Sequence, residues 1–562
     1  MKRQTDASTL RLSALLFLAL FVCNSSKALA APPNLTFLYP AGGQRGTKVN
    51  TMCNGTFEWP AQVWASGLQA TCLKDKGQIE IALPADFDND RVWVRLFNDE
   101  GASTAVPFLV NSLNSVAEAE PNDETISPQA LTDQQTIDGK LDKMGDVDCF
   151  SVEMKSGETL VAALEANTAF GSPMDAVLQI VTPDGIVLSE NHDAVGLDPR
   201  VVFHAKSDGT YIVRLFAFAA NPNTRIEHHG GDNYTYRLTI TNGPFITRSA
   251  QLAARNGTAK VQPVGWNLDD QLVTLQPIGA KYSPMSREYE DVDQRLRVGS
   301  TLGFAFQDGA GGFAKPRLVE HEVIEVTPGQ QLVLPVTTHG TIGSQKQVNE
   351  YKLSLKKDDQ IVIGVESIGL HLPLVPLVRL FDSEAKAVAE VLETGPARDV
   401  VLQHDVKQDG EYTLTIADRY QNGGKRFWYR LTARHLQTSF ELSTSTDSVV
   451  VDSAKPTEVE ITVARMSGSQ GKLGDIKISA SGLPEGVTCD PVVSAAEGDS
   501  SKKVKLAFAT TGSIQFSGPI QIVGTASEPE SLSVNCLTPA RFETRRDEIW
   551  LTAKKSAENS EQ

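Results

Sequence analysis

The sequence predicts an all-β protein built from tandem β-sandwiches. Apolar and polar residues alternate in many short segments, such as VWVRLF (92–97), TYIVRLF (210–216) and WYRLTA (428–433). These segments are rich in β-branched and aromatic residues, and Gly, Asp or Asn residues follow them closely. No long amphipathic helix pattern follows the first thirty residues. Many short strands separated by closely spaced turns are typical of β-sandwich domains.

The first thirty residues have the pattern of a secretory signal peptide. Lys2, Arg3 and Arg11 flank or precede the apolar run LSALLFLALFVC, and Ala28 and Ala30 occupy the small positions of an A-x-A cleavage site. We therefore predict cleavage after Ala30 and an exported protein, either periplasmic or extracellular at the cell surface. No later segment reaches 18 consecutive apolar residues, so we predict no transmembrane segment.

The length and the charge of the chain limit its function. A chain of 562 residues is too long for one hydrophobic core and predicts three to five domains. Its formal net charge of −17, without any basic patch, opposes binding to phosphate backbones, so we expect no nucleic-acid partner. An acidic surface keeps such a protein soluble and can attract divalent cations.

An internal repeat organises most of the sequence. GDVDCFSVEMKSGETL (145–160) aligns with KQVNEYKLSLKKDDQI (346–361), and SDGTYIVRL (207–215) aligns with QDGEYTLTI (408–416), both at an offset of 201 residues. A weaker repeat precedes each of these units, because LYPAGGQRGTKVNTMCNG resembles SAQLAARNGTAKVQPVGWNL. The order of units is therefore A, B, A′, B′, followed by a different strand-rich segment.

These repeated units resemble known families of secreted proteins. Through EPND (120–123), GDVDCFSVEMKSGETL, GSPMDAVLQIVTPDG and SDGTYIVRL, unit B resembles bacterial pre-peptidase C-terminal (PPC) domains, which are small jelly-roll-like β-sandwiches. Unit A is similar to the transcription-factor-type immunoglobulin (IPT/TIG) fold through its PAGGQRGT opening. A′ and B′ are degenerate copies, and the resemblance covers roughly residues 34–435.

The repeat and the resemblance together give a domain map. We predict a signal peptide at 1–30, domain A at 34–113, domain B at 114–243, domain A′ at 244–317, domain B′ at 318–436, an immunoglobulin-like C-terminal domain at 437–555 and a disordered tail at 556–562.

Two acidic stretches, AEAEPNDETISPQ (117–129) and LDKMGDVDCF (141–150), are the main candidates for a site. The collagen-binding domains of clostridial collagenases, which are similar to this domain class, bind calcium through an acidic entry linker and a nearby strand-start loop. The resemblance therefore implies a Ca²⁺ site. Its implied ligands are Glu118, Glu120, Asn122 and Asp123 in the linker and Asp146 and Asp148 in the loop, with Asp142 as a further candidate.

The residue types in these stretches agree with calcium, which takes six to eight hard oxygen ligands. The alternative is a solvated acidic linker followed by an ordinary turn. Unit B′ has Gln347 and Asn349 where unit B has Asp146 and Asp148, and it has no EPND upstream. Any calcium is therefore expected in domain B alone.

The cysteines suggest two local disulfides. Cys53 and Cys72 lie in one predicted domain, and Cys489 and Cys536 lie in another. In an oxidising compartment each pair could form a disulfide, and the alternative is four separate buried thiols. Cys149 has no evident partner. Its position in the alternating strand CFSVEM is opposite to the core-facing Phe150, which predicts an outward, accessible thiol.

The sequence offers no catalytic motif. It contains no G-x-S-x-G or H-E-x-x-H pattern and no phosphate-binding or dinucleotide fingerprint. We therefore predict a non-catalytic binding, adhesion or envelope scaffold protein, whose partner is an extracellular protein or polysaccharide. Because PPC domains usually accompany secreted peptidases, the resemblance also implies an accessory role in extracellular proteolysis. The alternatives are an extracellular hydrolase with an unrecognised active site and a structural spacer of the envelope.

Overall fold

A computed structural model describes residues 31–556 apart from 133, 222–225, 284–286, 393–398 and 469. The predicted signal peptide and all but the first residue of the predicted tail lie outside the described residues. The regular secondary structure of the described chain is almost entirely strand, with two four-residue helices and two short 3₁₀ turns, which confirms the all-β prediction. Within this part of the chain, no helix has both the length and the apolar character needed to cross a bilayer.

Domain A is a sandwich of two sheets. Its strands are β1 (Asn34–Tyr39), β2 (Gly42–Gln44), β3 (Lys48–Thr56), β4 (Gln62–Ala65), β5 (Ala70–Cys72), β6 (Gln78–Ala82), β7 (Arg91–Asn98), β8 (Gly101–Ala102) and β9 (Val106–Asn111). One sheet has the order β1-β3-β6-β5 and the other β2-β9-β7-β4, with β8 paired to β7. Alternate residues such as Ile79 and Ile81 fill the core between them.

Domain B contains two five-stranded sheets. Its elements are β10 (Asn114–Ala117), β11 (Gln129–Ala130), β12 (Gln135–Lys140), β13 (Asp148–Met154), β14 (Thr159–Glu165), α1 (Asn167–Phe170), β15 (Met174–Val181), β16 (Val187–Asn191), β17 (Arg200–His204), β18 (Gly209–Ala219) and β19 (Thr235–Thr241). The orders are β10-β12-β19-β14-β17 and β11-β13-β18-β15-β16. Phe150 and Met154 of β13 point into the core, as their period-two spacing predicts.

Domain A′ is smaller. Its elements are β20 (Phe245–Ser249), β21 (Ala253–Arg255), β22 (Lys260–Val261), β23 (Pro263–Trp266), β24 (Val273–Pro277), β25 (Glu288–Glu290), α2 (Gln294–Arg297), β26 (Ser300–Ala305), β27 (Gly311–Gly312) and β28 (Arg317–Val319). The sheets run β23-β20-β27 and β21-β28-β26-β24-β22. Because β28 belongs to the second sheet, the domain extends to Val319 and not to the predicted boundary at 317.

Domain B′ repeats the sheet orders of domain B with one loss. Its elements are β29 (Gln331–Leu332), β30 (Val336–Thr341), β31 (Val348–Leu355), β32 (Gln360–Glu366), a 3₁₀ turn (Ile368–Leu370), β33 (Pro376–Phe381), β34 (Ala387–Leu392), β35 (Val400–Asp405), β36 (Gly410–Asp418) and β37 (Trp428–His435). The orders are β29-β31-β36-β33-β34 and β30-β37-β32-β35. In place of β10, the described part of B′ has a single bridge between Val323 and Thr337.

The C-terminal domain is a larger sandwich. Its elements are β38 (Ser439–Ser443), β39 (Ser448–Val451), β40 (Thr457–Met466), β41 (Ile476–Ser481), β42 (Val487–Cys489), β43 (Val492–Ser494), a 3₁₀ turn (Asp499–Ser501), β44 (Lys503–Thr510), β45 (Phe516–Ala526), β46 (Leu532–Leu537), β47 (Thr544–Arg546) and β48 (Ile549–Ala553). The main strand path is β39-β48-β45-β46-β38-β40-β44-β42, and β41 pairs with both β45 and β43.

One segment of the C-terminal domain, Arg541–Asp547, lies among the other domains, and we call it the clasp. Arg541 Nη1 donates to the Ala105 carbonyl of domain A at 2.9 Å, and Glu543 lies 3.1 Å from His371 Nε2 of domain B′. Strand β47 pairs with β25 of domain A′. The Phe542 ring stands beside Gly171 of domain B. The clasp therefore contacts all four other domains.

The structure forms neither predicted disulfide, because all five described cysteines are free thiols. Cys53 on β3 and Cys72 on β5 flank opposite sides of β6. Residues on next-but-one strands have Cα atoms about 9.5 Å apart, beyond the ~7 Å that a disulfide spans. Cys489 on β42 and Cys536 on β46 are separated by three strands of the sheet path, β44, β40 and β38.

The prediction of an accessible Cys149 thiol is wrong. The residue does lie on the face of β13 opposite to Phe150, but it is 0% exposed. It packs with Val181 and Ile212, and its Sγ lies 3.9 Å from the Asp123 carbonyl oxygen. The acidic linker covers this part of the sheet, so an outward direction on the strand does not bring exposure to solvent.

Candidate metal centre

The two acidic stretches meet where the chain enters domain B. Strand β10 pairs in parallel with β12, and the Glu118 amide just beyond it donates to the Asp138 carbonyl at 3.0 Å. Further along the linker, the Asn122 carbonyl accepts from the Cys149 amide at 3.0 Å. Backbone hydrogen bonds therefore hold the linker against the start of β13, where Asp148 begins the strand.

Five predicted carboxylates come together here in two overlapping groups. One oxygen each of Glu118, Glu120 and Asp148 lie within 4.8 Å of one another, and so do oxygens of Glu120, Asp123 and Asp146. Glu120 belongs to both groups and joins them into one cluster. Such a set of hard, anionic oxygens is the ligand type that calcium takes in proteins.

Three buried oxygens in the cluster have no hydrogen-bond partner. They are Asn122 Oδ1, Asp146 Oδ1 and Asp148 Oδ1, and all three residues are 0% exposed. Lys143 Nζ lies 3.3 Å from Asp146 Oδ1 but outside hydrogen-bonding geometry. A buried polar atom left unpaired costs about 1–3 kcal/mol, and more if it is charged, so three such atoms close together are unfavourable for the folded protein.

The remaining oxygens of the cluster are oriented by donors. Lys140 donates its amide to Glu118 Oε2 at 2.8 Å, and Asn122 donates its amide to Glu120 Oε2 at 3.0 Å. The Tyr236 hydroxyl lies 2.6 Å from Asp148 Oδ2 and 3.0 Å from Glu118 Oε1, so its single proton is shared between hydrogen bonds to two carboxylates. These contacts leave the opposite oxygen of Asp148 without a donor.

Tyr236 was not predicted from the sequence as a site residue. Its signal was present in the repeat, because NYTYRLT and FWYRLT align Tyr236 with Tyr429. The candidate Asp142, in contrast, lies outside the cluster. Its carboxylate pairs with Lys140 Nζ at 2.7 Å, and only its backbone amide contacts Asp146.

Burial changes the acidity of three carboxyls in the cluster. It raises the pKa of Asp148 well above its usual range, and the negative charge of Glu118 adds to the effect. Burial also raises the pKa of Asp146, to which a hydrogen bond with Asp123 contributes, and the pKa of Glu120. Without a cation, these carboxyls therefore keep their protons to higher pH than exposed ones.

A groove of about 530 Å³ adjoins the cluster on the outer face of the β13-β18-β15 sheet. Its lining residues are Asp123, Glu124, Thr125 and Ile126 of the linker, Val147 just before β13, Gln179, Arg214 and Phe216 of the sheet, and His228. The His228 ring stacks on Phe216 with centroids 4.4 Å apart, and Arg214 Nε donates to Gln179 Oε1 at 2.9 Å. Asp123 belongs to both the carboxylate cluster and the groove wall.

Domain B′ shows what the same fold does without the carboxylates. Asn349, the counterpart of Asp148, donates to the Tyr429 hydroxyl at 2.8 Å and to the Thr341 carbonyl at 3.0 Å. Its own Oδ1 accepts from Gln347 Nε2 at 2.8 Å. The amide network is therefore neutral, and the Asn349 side chain is hydrogen-bonded through both its oxygen and its nitrogen.

All six predicted ligands, Glu118, Glu120, Asn122, Asp123, Asp146 and Asp148, thus lie in one place. No family profile matches the chain. A protein described as a probable subtilase-type serine protease of Deinococcus radiodurans is 36% identical over 108 residues, which are 18% of this chain. The match spans only 14% of the length of that relative.

The solved structures similar to this chain share little sequence identity with it. The pre-peptidase C-terminal domain of a Bacillus anthracis collagenase is 15% identical and covers 20% of this chain and 96% of its own, with a TM-score of 0.15. The M60 catalytic domain with two CBM51 domains of Clostridium perfringens ZmpB is 11% identical and covers 73% of this chain and 40% of its own, with a TM-score of 0.19. A Bacteroides ovatus protein solved with a mixed-linkage heptasaccharide is 11% identical and covers 69% of this chain and 98% of its own, with a TM-score of 0.15.

Proposed function

We propose that this chain is a secreted, non-catalytic binding protein whose domain B holds Ca²⁺ in its entry linker and presents a ligand groove beside it. The observation that carries the proposal is the set of three buried, unpartnered oxygens on Asn122, Asp146 and Asp148 within a cluster of carboxylates. None of the three accepts a hydrogen bond from the described residues, Asp146 Oδ1 has only an ion pair with Lys143 Nζ, and a bound cation would coordinate all three oxygens.

The donor set fits calcium better than other common metals. Five carboxylates and the Asn122 amide oxygen provide six side-chain oxygens, which is within the calcium range. Zinc prefers nitrogen and sulfur ligands, and no histidine or cysteine side chain belongs to either described group. Magnesium usually keeps several waters and uses only one or two carboxylates.

Calcium at this position would act through charge and geometry. Bound between the linker and the start of β13, it would neutralise carboxylates that otherwise repel one another and would fix the linker between domains A and B. Because Asp123 belongs to both the cluster and the groove wall, fixing the linker would also fix that part of the groove wall. The ligand we propose is an extracellular protein or polysaccharide, and the resemblance to PPC domains, together with the match to a subtilase-type relative, supports a role beside extracellular proteolysis.

The test is calcium binding to the chain from residue 31 onward. Isothermal titration calorimetry and thermal melting, in calcium and in chelator, should show binding and a rise in melting temperature. The double variant Asp146→Asn/Asp148→Asn should lose both, whereas Asp142→Asn, a matched change in the same loop, should leave both intact. Equal melting temperatures with and without calcium for the unmodified chain would leave the stretch as a solvated acidic linker.

A further inference from the structure

A second cavity, of about 260 Å³, lies where domain A, domain A′ and the C-terminal domain meet. Its lining residues are Trp64 and Gly67 of domain A, Tyr282 and Ser283 of domain A′, and Ser481, Gly482, Pro519, Ile520, Gln521 and Glu548 of the C-terminal domain. Three domains that are distant in sequence therefore build one cavity. Clefts between domains are a preferred location for small-ligand sites.

Two aromatic side chains in the cavity wall are held in place by neighbours. The half-buried Trp64 ring meets Trp550 edge-on, with centroids 5.6 Å apart and an interplanar angle of 67°. The Tyr282 ring packs on Phe87 at 5.5 Å, and its hydroxyl hydrogen-bonds to Asp86. Such fixed rings offer apolar faces against which the CH groups of a flat ligand can pack.

Gly67 determines how closely domains A and A′ approach at this cavity. It has a positive φ of 69°, and a Cβ placed on it would lie 2.1 Å from the Tyr282 carbonyl oxygen. The position therefore requires glycine both for its backbone conformation and for the contact. The close approach brings Tyr282 and Ser283 beside Trp64.

The polar groups of the cavity are few and electrically balanced. Glu548 is 3% exposed, and its Oε1 accepts from Arg546 Nη1 at 2.6 Å. Glu548 is also one of the residues that line the cavity. Ser283 and Ser481 also line the cavity, and their hydroxyl groups can donate or accept hydrogen bonds.

We propose that this cavity binds one neutral hexopyranose unit of a polysaccharide. Aromatic faces suit the CH side of a sugar ring, and a carboxylate oxygen with flanking hydroxyls suits its OH groups. Because Arg546 neutralises Glu548, the cavity has no net charge to attract an ionic ligand. Its volume admits a single ring, and the exposed Ser481 and Pro519 mark the side on which a longer glycan leaves.

This site is separate from the calcium cluster and shares no residue with it. The probes are four methyl glycosides, those of D-glucose, D-galactose, D-mannose and N-acetyl-D-glucosamine, added to the chain from residue 31 onward. Saturation-transfer difference NMR should detect binding of at least one, with a change in tryptophan fluorescence. Trp64→Ala and Glu548→Gln should each weaken that binding at least tenfold.

A blocking variant and two controls keep the test decisive if those variants fold poorly. Ser481→Arg changes an exposed residue at the cavity mouth and should abolish binding while melting normally. Trp59→Ala, which removes another half-buried tryptophan of domain A, should leave glycoside binding unchanged. Chelator should also leave it unchanged, so the calcium proposal can fail independently. No signal with any of the four glycosides, or a signal that survives Ser481→Arg, would overturn the assignment.

Discussion

Asp148 and Asn349 occupy equivalent positions in the two repeats and use the same tyrosine in opposite ways. Asp148 accepts from Tyr236 at 2.6 Å and keeps a buried oxygen unpaired, whereas Asn349 donates to Tyr429 at 2.8 Å and is fully satisfied. At this position, the change from carboxylate to amide turns a side chain with an unpaired buried oxygen into one whose hydrogen bonds are all made. The two domains provide their own comparison for each test of the site.

Asp148→Asn should convert domain B to the behaviour of domain B′. The amide removes a buried carboxyl group whose Oδ1 has no hydrogen-bond partner and whose ionised form is costly to bury. In chelator, the melting temperature should therefore rise above that of the unmodified chain, and the increment produced by calcium should shrink or vanish. Differential scanning calorimetry in both buffers measures this. If the variant melts at a lower temperature than the unmodified chain in chelator, the buried Asp148 carboxylate does not destabilise the calcium-free protein and the argument fails.

The stability of the calcium-free protein should fall as the pH rises. Burial raises the pKa values of Glu120, Asp146 and Asp148, so the folded state favours their protonated forms. Their stabilising effect is complete below the ordinary carboxyl range near pH 4 and is lost as the pH rises through the higher folded-state values.

Calcium should reverse this trend, because it binds the ionised form. Melting in chelator at pH 5 and pH 7.5 should show the higher transition at pH 5 for domain B. Calcium affinity by calorimetry should be weaker at pH 5, since protons compete for the same oxygens. An affinity that does not change between these pH values would argue against a carboxylate site.

Cys149 should report on the linker. Its thiol is buried, burial raises its pKa to about 12, and the linker carbonyl of Asp123 lies 3.9 Å from its Sγ. In calcium, the thiol should react with a disulfide reagent far more slowly than the half-buried Cys489. In chelator, its rate should rise several-fold as the linker loosens, whereas Cys489 should not change. Peptide mapping of the labelled protein separates the two residues.

Phe542→Ala should loosen the arrangement of the five domains. The ring packs near Trp93 of domain A, with centroids 6.1 Å apart, and against Gly171 of domain B. Loss of a half-buried aromatic ring should cost about 1–3 kcal/mol of interdomain packing. Small-angle X-ray scattering should show a larger radius of gyration. Glu543→Gln should have little effect, because an exposed pair such as Glu543–His371 contributes about 0–1 kcal/mol. An unchanged radius in Phe542→Ala would exclude the clasp as an organiser.

The local pattern of the sequence was enough to predict the all-β class and the core face of β13. Period-two alternation is a property of neighbouring residues, and it specifies which side chains of a strand share a face. The repeat also identified the carboxylates of domain B and their replacement by Gln347 and Asn349, since aligned copies show directly where charges are kept or lost.

Only the tertiary structure decided which residues meet across the sequence. The alternation places Cys149 on the outer face, but it cannot show that the linker covers that face. Cys53 and Cys72 lie close together in the sequence of one domain, which suggested a disulfide. The strand order, however, places β6 between the two strands that carry them. Tyr236 reaches the carboxylates from a strand that begins almost ninety residues after Asp148, and the clasp joins five domains. These contacts depend on strand order and domain packing, which arise from burial over the whole chain and leave no periodic signal in any one segment.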